Sequence, residues 1–340
     1  MKKIILLAVF LFSCFFLQSC LENNISPPFT GELDESAELL FYFESNGDYA
    51  NSLLAPSLVN AEEVFTNTAS YLIIDTRESA VFRNGHIEGA INILSDSLYD
   101  YIVNINPGSY QKIILVCATG QSSAYFTCLL QLAGYNNIYS LKYGMASWNT
   151  FFADEWLNAI GDAPNISNYT NSDFPKNSLT DLPSISFENP DAPLKEKVNK
   201  RIEKIMKEDS FSTANLPSTS DTYLICYGNM RLYYARRFVI YEGLGHPPGA
   251  VYYIISPDSE LRSNKYLQTL PTDKEIVIYD YNGQWSASMT AYLRVLGYNV
   301  RSLLFGANQL FHSRMIEDPD LQEFAFTNSE INSFPYVVTE

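Results

Sequence analysis

The chain has 340 residues, of which 46% are hydrophobic, and 22 Lys+Arg stand against 38 Asp+Glu for a net charge of -16 at pH 7. A chain this acidic is repelled by phosphate backbones, which excludes nucleic-acid binding. The length is enough for two separate cores of about 150 residues each.

In chain order, Lys2 and Lys3 precede an apolar run that ends at Leu17-Gln18-Ser19-Cys20. The pattern reads as a secretory leader over residues 1–20 and resembles a bacterial lipoprotein signal, with Cys20 as the lipidated N-terminus. Leu11-Phe12-Ser13-Cys14 has a similar shape, but Phe15-Phe16-Leu17 continue the apolar run and polarity begins only at Glu22. A plain leader or an uncleaved anchor is the alternative. Residues 21–31, with Asn23, Asn24, Pro27 and Pro28, read as a flexible tether. The expected location is the bacterial cell envelope, with the chain held to a membrane by its N-terminal lipid.

Glu35 to Phe43 opens the first repeat, and Ile74-Asp75-Thr76-Arg77 marks a strand end where Asp75 and Arg77 form an ion pair that braces the neighbouring loop. Gly85-His86-Ile87-Glu88-Gly89-Ala90 follows. Its His86 reads as a turn residue bonded to backbone rather than a general base, since no Asp or Asn at a recognisable spacing completes a cysteine-histidine pair. Next, Ile113-Ile114-Leu115-Val116 is an apolar strand that delivers Cys117 into the small-residue loop Ala118-Thr119-Gly120-Gln121-Ser122-Ser123. A helix is predicted from Ser122 to Ala133, with Phe126, Leu129, Leu130 and Ala133 on its core face. A cysteine facing the free N–H groups of a helix start is stabilised as thiolate, the reactive form of the residue. The competing reading of Cys117 is a buried strand-end cysteine with no chemistry.

Residues 163–192 are rich in Asn, Ser, Asp and Pro and read as a linker wrapping the surface. Leu194 to Met206 is a basic amphipathic helix that opens the second repeat, and Tyr223-Leu224-Ile225 leads to Cys226. Glu275-Ile276-Val277-Ile278-Tyr279 then enters Asp280-Tyr281-Asn282-Gly283-Gln284-Trp285-Ser286, an echo of the earlier loop with Asp280 in the place of Cys117. Gly245-His246-Pro247-Pro248-Gly249-Ala250 echoes the His86 motif, and Phe174-Pro175 recurs as Phe334-Pro335. A repeat of this length means two copies of one domain.

The motifs at Asp75–Arg77, Gly85–Ala90 and Cys117–Ser123, in that order, are similar to the three motifs of a rhodanese-like (sulfurtransferase) domain. The resemblance implies an α/β fold with two tandem domains, each a parallel sheet flanked by helices, over residues 32–178 (active) and 179–340 (degenerate). It also implies a persulfide on Cys117 cradled by loop amides, passed from a small sulfur donor to a thiol or other nucleophile, with Asp280 and Gly283 in a loop that has lost this chemistry. Trp285, in place of Ser122, is expected to fill the old pocket. Arg231, Arg236 and Arg237 line a domain interface or the surface.

Two departures bear on substrate. The basic residues that usually follow the cysteine in thiosulfate-active members are here Ala118 and Ser122, and residues 21–178 carry 5 Lys+Arg against 18 Asp+Glu. Weak thiosulfate activity is therefore expected, with neutral polysulfide-like donors, small persulfides or a protein thiol preferred. The position six residues after Cys117 is Ser123, not the arginine a cysteine phosphatase needs. The scattered histidines and thiols predict no metal, and no cofactor is expected. Cys128 and Cys226 read as core residues. Rival readings are a non-catalytic envelope binding or scaffold protein and a thiol redox protein using Cys117.

Overall fold

The computed structural model describes residues 34–208, 211–216, 221–235 and 245–339. The leader, the tether, Cys14, Cys20, Arg236 and Arg237 lie outside the described residues.

Two five-stranded, all-parallel sheets form the frame. The first runs over β1 (Leu58–Val59), β2 (Leu72–Asp75), β3 (Ile91–Asn92), β4 (Ile113–Val116) and β5 (Ile138–Leu141), in the order β1-β5-β4-β2-β3. The second uses β6 (Thr213–Ala214), β7 (Thr222–Gly228), β8 (Val251–Ile254), β9 (Glu275–Tyr279) and β10 (Val300–Leu303), in the equivalent order β6-β10-β9-β7-β8. All four residues of β4 are fully buried, as expected for a central parallel strand covered on both faces. The α/β reading with two tandem sheets therefore holds.

Residues 34–340 form one compact unit. Its centre is the packing of helix Gln121–Leu132 on helix Gln284–Val295. Each helix covers its own sheet with one face and the other repeat with the opposite face, so the polar Thr127 and Thr290 are buried too. Tyr292 and Phe43 meet edge to face across this layer at 6.0 Å, and Arg262 reaches from the second repeat to Asp48 of the first at 2.7 Å. Among the basic positions of the second repeat, Arg231 pairs within that repeat, with Asp318.

The segment that follows each sheet packs on the other one. Thr170 pairs with His246 of the second repeat, and Phe174 stands edge-on to the same histidine at 5.9 Å. Conversely, Val337 pairs with His86 of the first repeat, the Trp148 indole donates to the Pro335 carbonyl at 2.8 Å, and Phe334 stacks on Phe65 at 4.3 Å. Ranges 32–178 and 179–340 each carry one sheet and each lend a tail to the other.

Candidate active site

β4 ends at Val116, and the chain turns sharply before the helix that starts at Gln121. Gly120 makes the turn at φ 82°, in the left-handed region, and any Cβ there would stand 2.6 Å from the Gln284 amide nitrogen. A glycine is required on both counts. The turn folds the loop around the Cys117 sulfur. The Gly120 N–H donates to Sγ at 3.1 Å and the Ser123 N–H at 3.4 Å, while the Ser123 hydroxyl lies 3.3 Å away. That hydroxyl is in turn 2.7 Å from the Ser140 hydroxyl on β5. Thr119 fixes the loop's outer side by accepting the Trp156 indole N–H on its carbonyl at 3.0 Å. The Cys117 carbonyl accepts from Met145 N–H at 2.9 Å.

Cys117, Thr119, Gln121 and Ser123 are buried, and Cys117 itself is only 4% exposed; Ala118 and Ser122 are half-buried at the mouth. Cys128 and Cys226 are free and buried, and burial pushes both thiols up to about 12.

Asp75 and Arg77 form a forked ion pair, with Arg77 Nε 2.9 Å from Asp75 Oδ1. Arg77 Nη2 also donates to the Gly85 carbonyl at 2.8 Å, and the guanidinium lies 5.4 Å from the Phe152 ring centre. This pair ties the second motif to the end of β2. His86 donates from Nδ1 to the Phe82 carbonyl at 2.8 Å and stacks on the Phe82 ring at 3.7 Å.

The second loop has the same backbone and a different occupant. Gly283 sits at φ 84°, and Asp280 receives Gly283 N–H on one oxygen and Trp285 N–H on the other, at 2.5 and 2.7 Å. The Ser286 hydroxyl reaches Asp280 at 3.2 Å and Ser302 at 2.8 Å. The carboxylate, not Trp285, fills the cradle. The Trp285 ring instead packs edge-on to Tyr281 and Phe324 at 5.8 and 5.5 Å.

Two features escape the sequence. Gly228 replaces Arg77 in the second repeat, yet Arg314, from helix His312–Glu317, takes over its bonding: it donates to the Gly245 and Leu232 carbonyls and lies 4.0 Å from the Phe311 ring centre. The two loops are also tied together. Gln284 donates to the Gly120 carbonyl at 3.2 Å and accepts from Tyr143 N–H at 3.3 Å, and Gln121 accepts from Phe305 N–H at 2.7 Å. A glutamine at equivalent positions of two echoed loops was the available signal.

The profile of the rhodanese-like domain matches residues 60–150 and again residues 228–310. The chain belongs to the rhodanese-like family. It is similar to the thiosulfate sulfurtransferase GlpE of Shewanella oneidensis, with 32% identity over 91 residues that make up 27% of this chain and 88% of the relative. GlpE of Ectopseudomonas mendocina is 30% identical over 95 residues, 28% of this chain and 84% of the relative. A rhodanese-related protein of Thermoplasma volcanium aligns with a TM-score of 0.24 at 22% identity, over 28% of this chain and 90% of that structure.

Proposed function

We propose that this protein is a sulfurtransferase that carries sulfane sulfur on Cys117 and that its second domain is non-catalytic. The observation that carries the reading is the Cys117 sulfur at a helix start, with the Gly120 and Ser123 N–H groups aimed at it. In the first step the Cys117 thiolate attacks the outer sulfur of a donor R–S–S⁻. A bond forms between Sγ and that sulfur, the donor S–S bond breaks, and the electron pair leaves with RS⁻. In the second step an acceptor thiolate attacks the outer sulfur of the Cys117 persulfide and regenerates the Cys117 thiolate. The loop N–H groups hold the negative charge on sulfur in both states. Asp280 has no sulfur to offer, and its own carboxylate already takes the equivalent donors.

Thiosulfate is the less favoured donor. Arg77, the cation of the first motif, commits Nε and Nη2 to Asp75 and the Gly85 carbonyl, so its charge is already paired. Small persulfides or polysulfides, with less charge to place in a buried cradle, fit better. The same proposal holds the chain to the cell envelope through a lipid on Cys20, which labelled-palmitate incorporation lost in Cys20→Ser would support.

Intact mass spectrometry of the purified protein before and after polysulfide or thiosulfate is the test. A gain of one sulfur with polysulfide, absent in Cys117→Ser, is expected. No gain with either donor in folded protein overturns the carrier reading and favours a redox or binding role, and equal rates with both donors overturn the donor preference.

A further inference from the structure

We propose that the cleft at the mouth of the second loop is a binding site for an uncharged small molecule with a flat apolar ring system. It requires no sulfur chemistry and goes beyond the reading of Cys117.

The cleft encloses about 940 Å³, within the span of roughly 300–1,000 Å³ usual for small-molecule sites. Its two walls come from the two repeats. On one side stand Tyr281, Trp285 and Phe324; on the other, the turn that carries Leu53, Leu54 and Pro56. The aromatic wall is built in advance. Tyr281 and Phe324 stack at 3.9 Å, Trp285 stands edge-on to both, and the Tyr281 hydroxyl is fixed by the Asn229 N–H at 2.7 Å. Tyr281 and Trp285 occupy the positions that Ala118 and Ser122 hold at the mouth of the first loop. Two small residues in the active-type loop have thus become two rings in the degenerate one, while the space in front of them has stayed open.

The opposite wall is exposed in an unusual way. Leu53 and Leu54 are 76% and 72% exposed although they face this cleft. Adjacent exposed leucines across from a half-buried indole are an apolar surface that a ligand ring would remove from water.

Charge and hydrogen bonding narrow the ligand further. Among the described residues the cleft has one cation, Lys142, which is paired with Glu330 at 3.5 Å, and one anion, Glu323. Behind the aromatic wall the cradle that would hold an anion is closed by the Asp280 carboxylate. An anionic ligand therefore meets no unpaired cation and a blocked anion site. Three amide side chains in the lining bond their own walls: Gln131 donates to the Ile138 carbonyl at 2.8 Å, Asn46 donates to the Tyr42 carbonyl at 2.7 Å, and Asn229 accepts the Leu232 N–H at 3.0 Å, while Asn136 is exposed. A polyol such as a saccharide competes with the bonds of those three amides, whereas an apolar ring needs the faces and leaves them bonded as they are.

The test is calorimetric titration of the purified protein with 2-naphthol, with naphthalene-2-sulfonate and maltose as the charged and polyol comparisons. Saturable binding of 2-naphthol is expected below millimolar concentration, at least tenfold tighter than either comparison. Trp285→Ala on one wall and Leu54→Asp on the other should each weaken it at least tenfold. Leu54→Asp lies on the exposed side and does not threaten the fold. Cys117→Ser should bind as the wild type does, so the outcome is independent of sulfur carriage. Absence of saturable binding, undiminished affinity in either wall variant, comparable binding of the sulfonate or maltose, or loss of binding in Cys117→Ser would each overturn the proposal.

Discussion

The loops 117–123 and 280–286 have one backbone and two chemistries. Gly120 and Gly283 turn at φ 82° and 84°, and behind each stands a pair of serine hydroxyls, Ser123 with Ser140 and Ser286 with Ser302. What differs is the atom at the head of the cradle. A sulfur accepts two N–H bonds at 3.1 and 3.4 Å; a carboxylate accepts shorter ones with both oxygens. The difference shows how the loop keeps its shape without the cysteine. A helix start has free N–H groups that need an acceptor, and an aspartate satisfies them at least as well as a thiolate. The fold keeps its scaffold when the nucleophile is gone, and the second domain remains available to clamp the first.

The largest expected effect comes from exchanging the heads. In the double variant Cys117→Ser, Asp280→Cys, intact mass after polysulfide should show one sulfur on position 280, because the backbone cradle is already formed there. If nothing loads in the folded protein, the two loops are not interchangeable, and the rings of Tyr281 and Trp285 bar the donor.

Next in size is a pH effect confined to the second loop. Burial pushes the Asp280 carboxyl up to about 6 from its ordinary 3.8, outweighing the N–H groups that pull it down. The folded protein thus holds this proton more tightly than the unfolded chain. The stabilisation is complete below pH 3.8 and is lost as pH rises through 6. It amounts to about 3 kcal/mol. Asp280→Asn cannot titrate, so the unfolding free energy of the wild type minus that of the variant, measured in urea, should fall by about 2 kcal/mol between pH 4 and 7. A flat difference would mean that the loop donors keep the carboxylate ionised throughout.

Much of this comparison was legible in the sequence, for a physical reason. Strand, tight glycine turn and helix start are local, and the echo of Cys117-to-Ser123 in Asp280-to-Ser286 repeats that local pattern without a gap. What was hidden is long-range. Core-face spacing marked Phe126, Leu129 and Leu130, but it gave no sign that Thr127 and Gln131 are buried as well. Arg314 stands in for Arg77 from some eighty residues away in the chain, so no motif could announce it. The two Phe-Pro pairs were visible as repeats, yet equal spacing fits a tail that folds onto its own sheet as well as one that crosses. Contact with His246 and Trp148 decides for crossing.

The tie between the loops gives a smaller effect. Gln284 is fully buried and holds both the Gly120 carbonyl and the Tyr143 N–H, which fixes Gly120 from its carbonyl side while its own N–H points at the Cys117 sulfur. Two neutral bonds of about 1 kcal/mol each are lost in Gln284→Ala. Sulfur loading of Cys117, followed by intact mass over time, should slow about tenfold with little change in donor saturation. Gln121→Ala removes a bond that ends on Phe305 in the second repeat and should slow loading less. An equal loss in both would mean that the whole interface, rather than the Gly120 peptide, sets the rate.

The smallest effect is expected at the other cysteine of the first repeat. Cys128 lies eleven residues after Cys117, on the helix Gln121–Leu132, fully buried against Ser288 and Tyr292 of the facing helix, and burial pushes its thiol up to about 12. It is therefore un-ionised at neutral pH and closed to donors. Cys128→Ser should load sulfur within about twofold of the wild type, because the Gly120 and Ser123 donors are untouched. The hydroxyl is more costly to bury than the thiol, so urea unfolding should show a loss of about 1 kcal/mol, softened by the neighbouring Ser288. The pairing of intact loading with a measurable stability loss is what separates a packing cysteine from a sulfur carrier. The opposite pairing, loading lost and stability kept, would move the proposed chemistry from the loop to the helix.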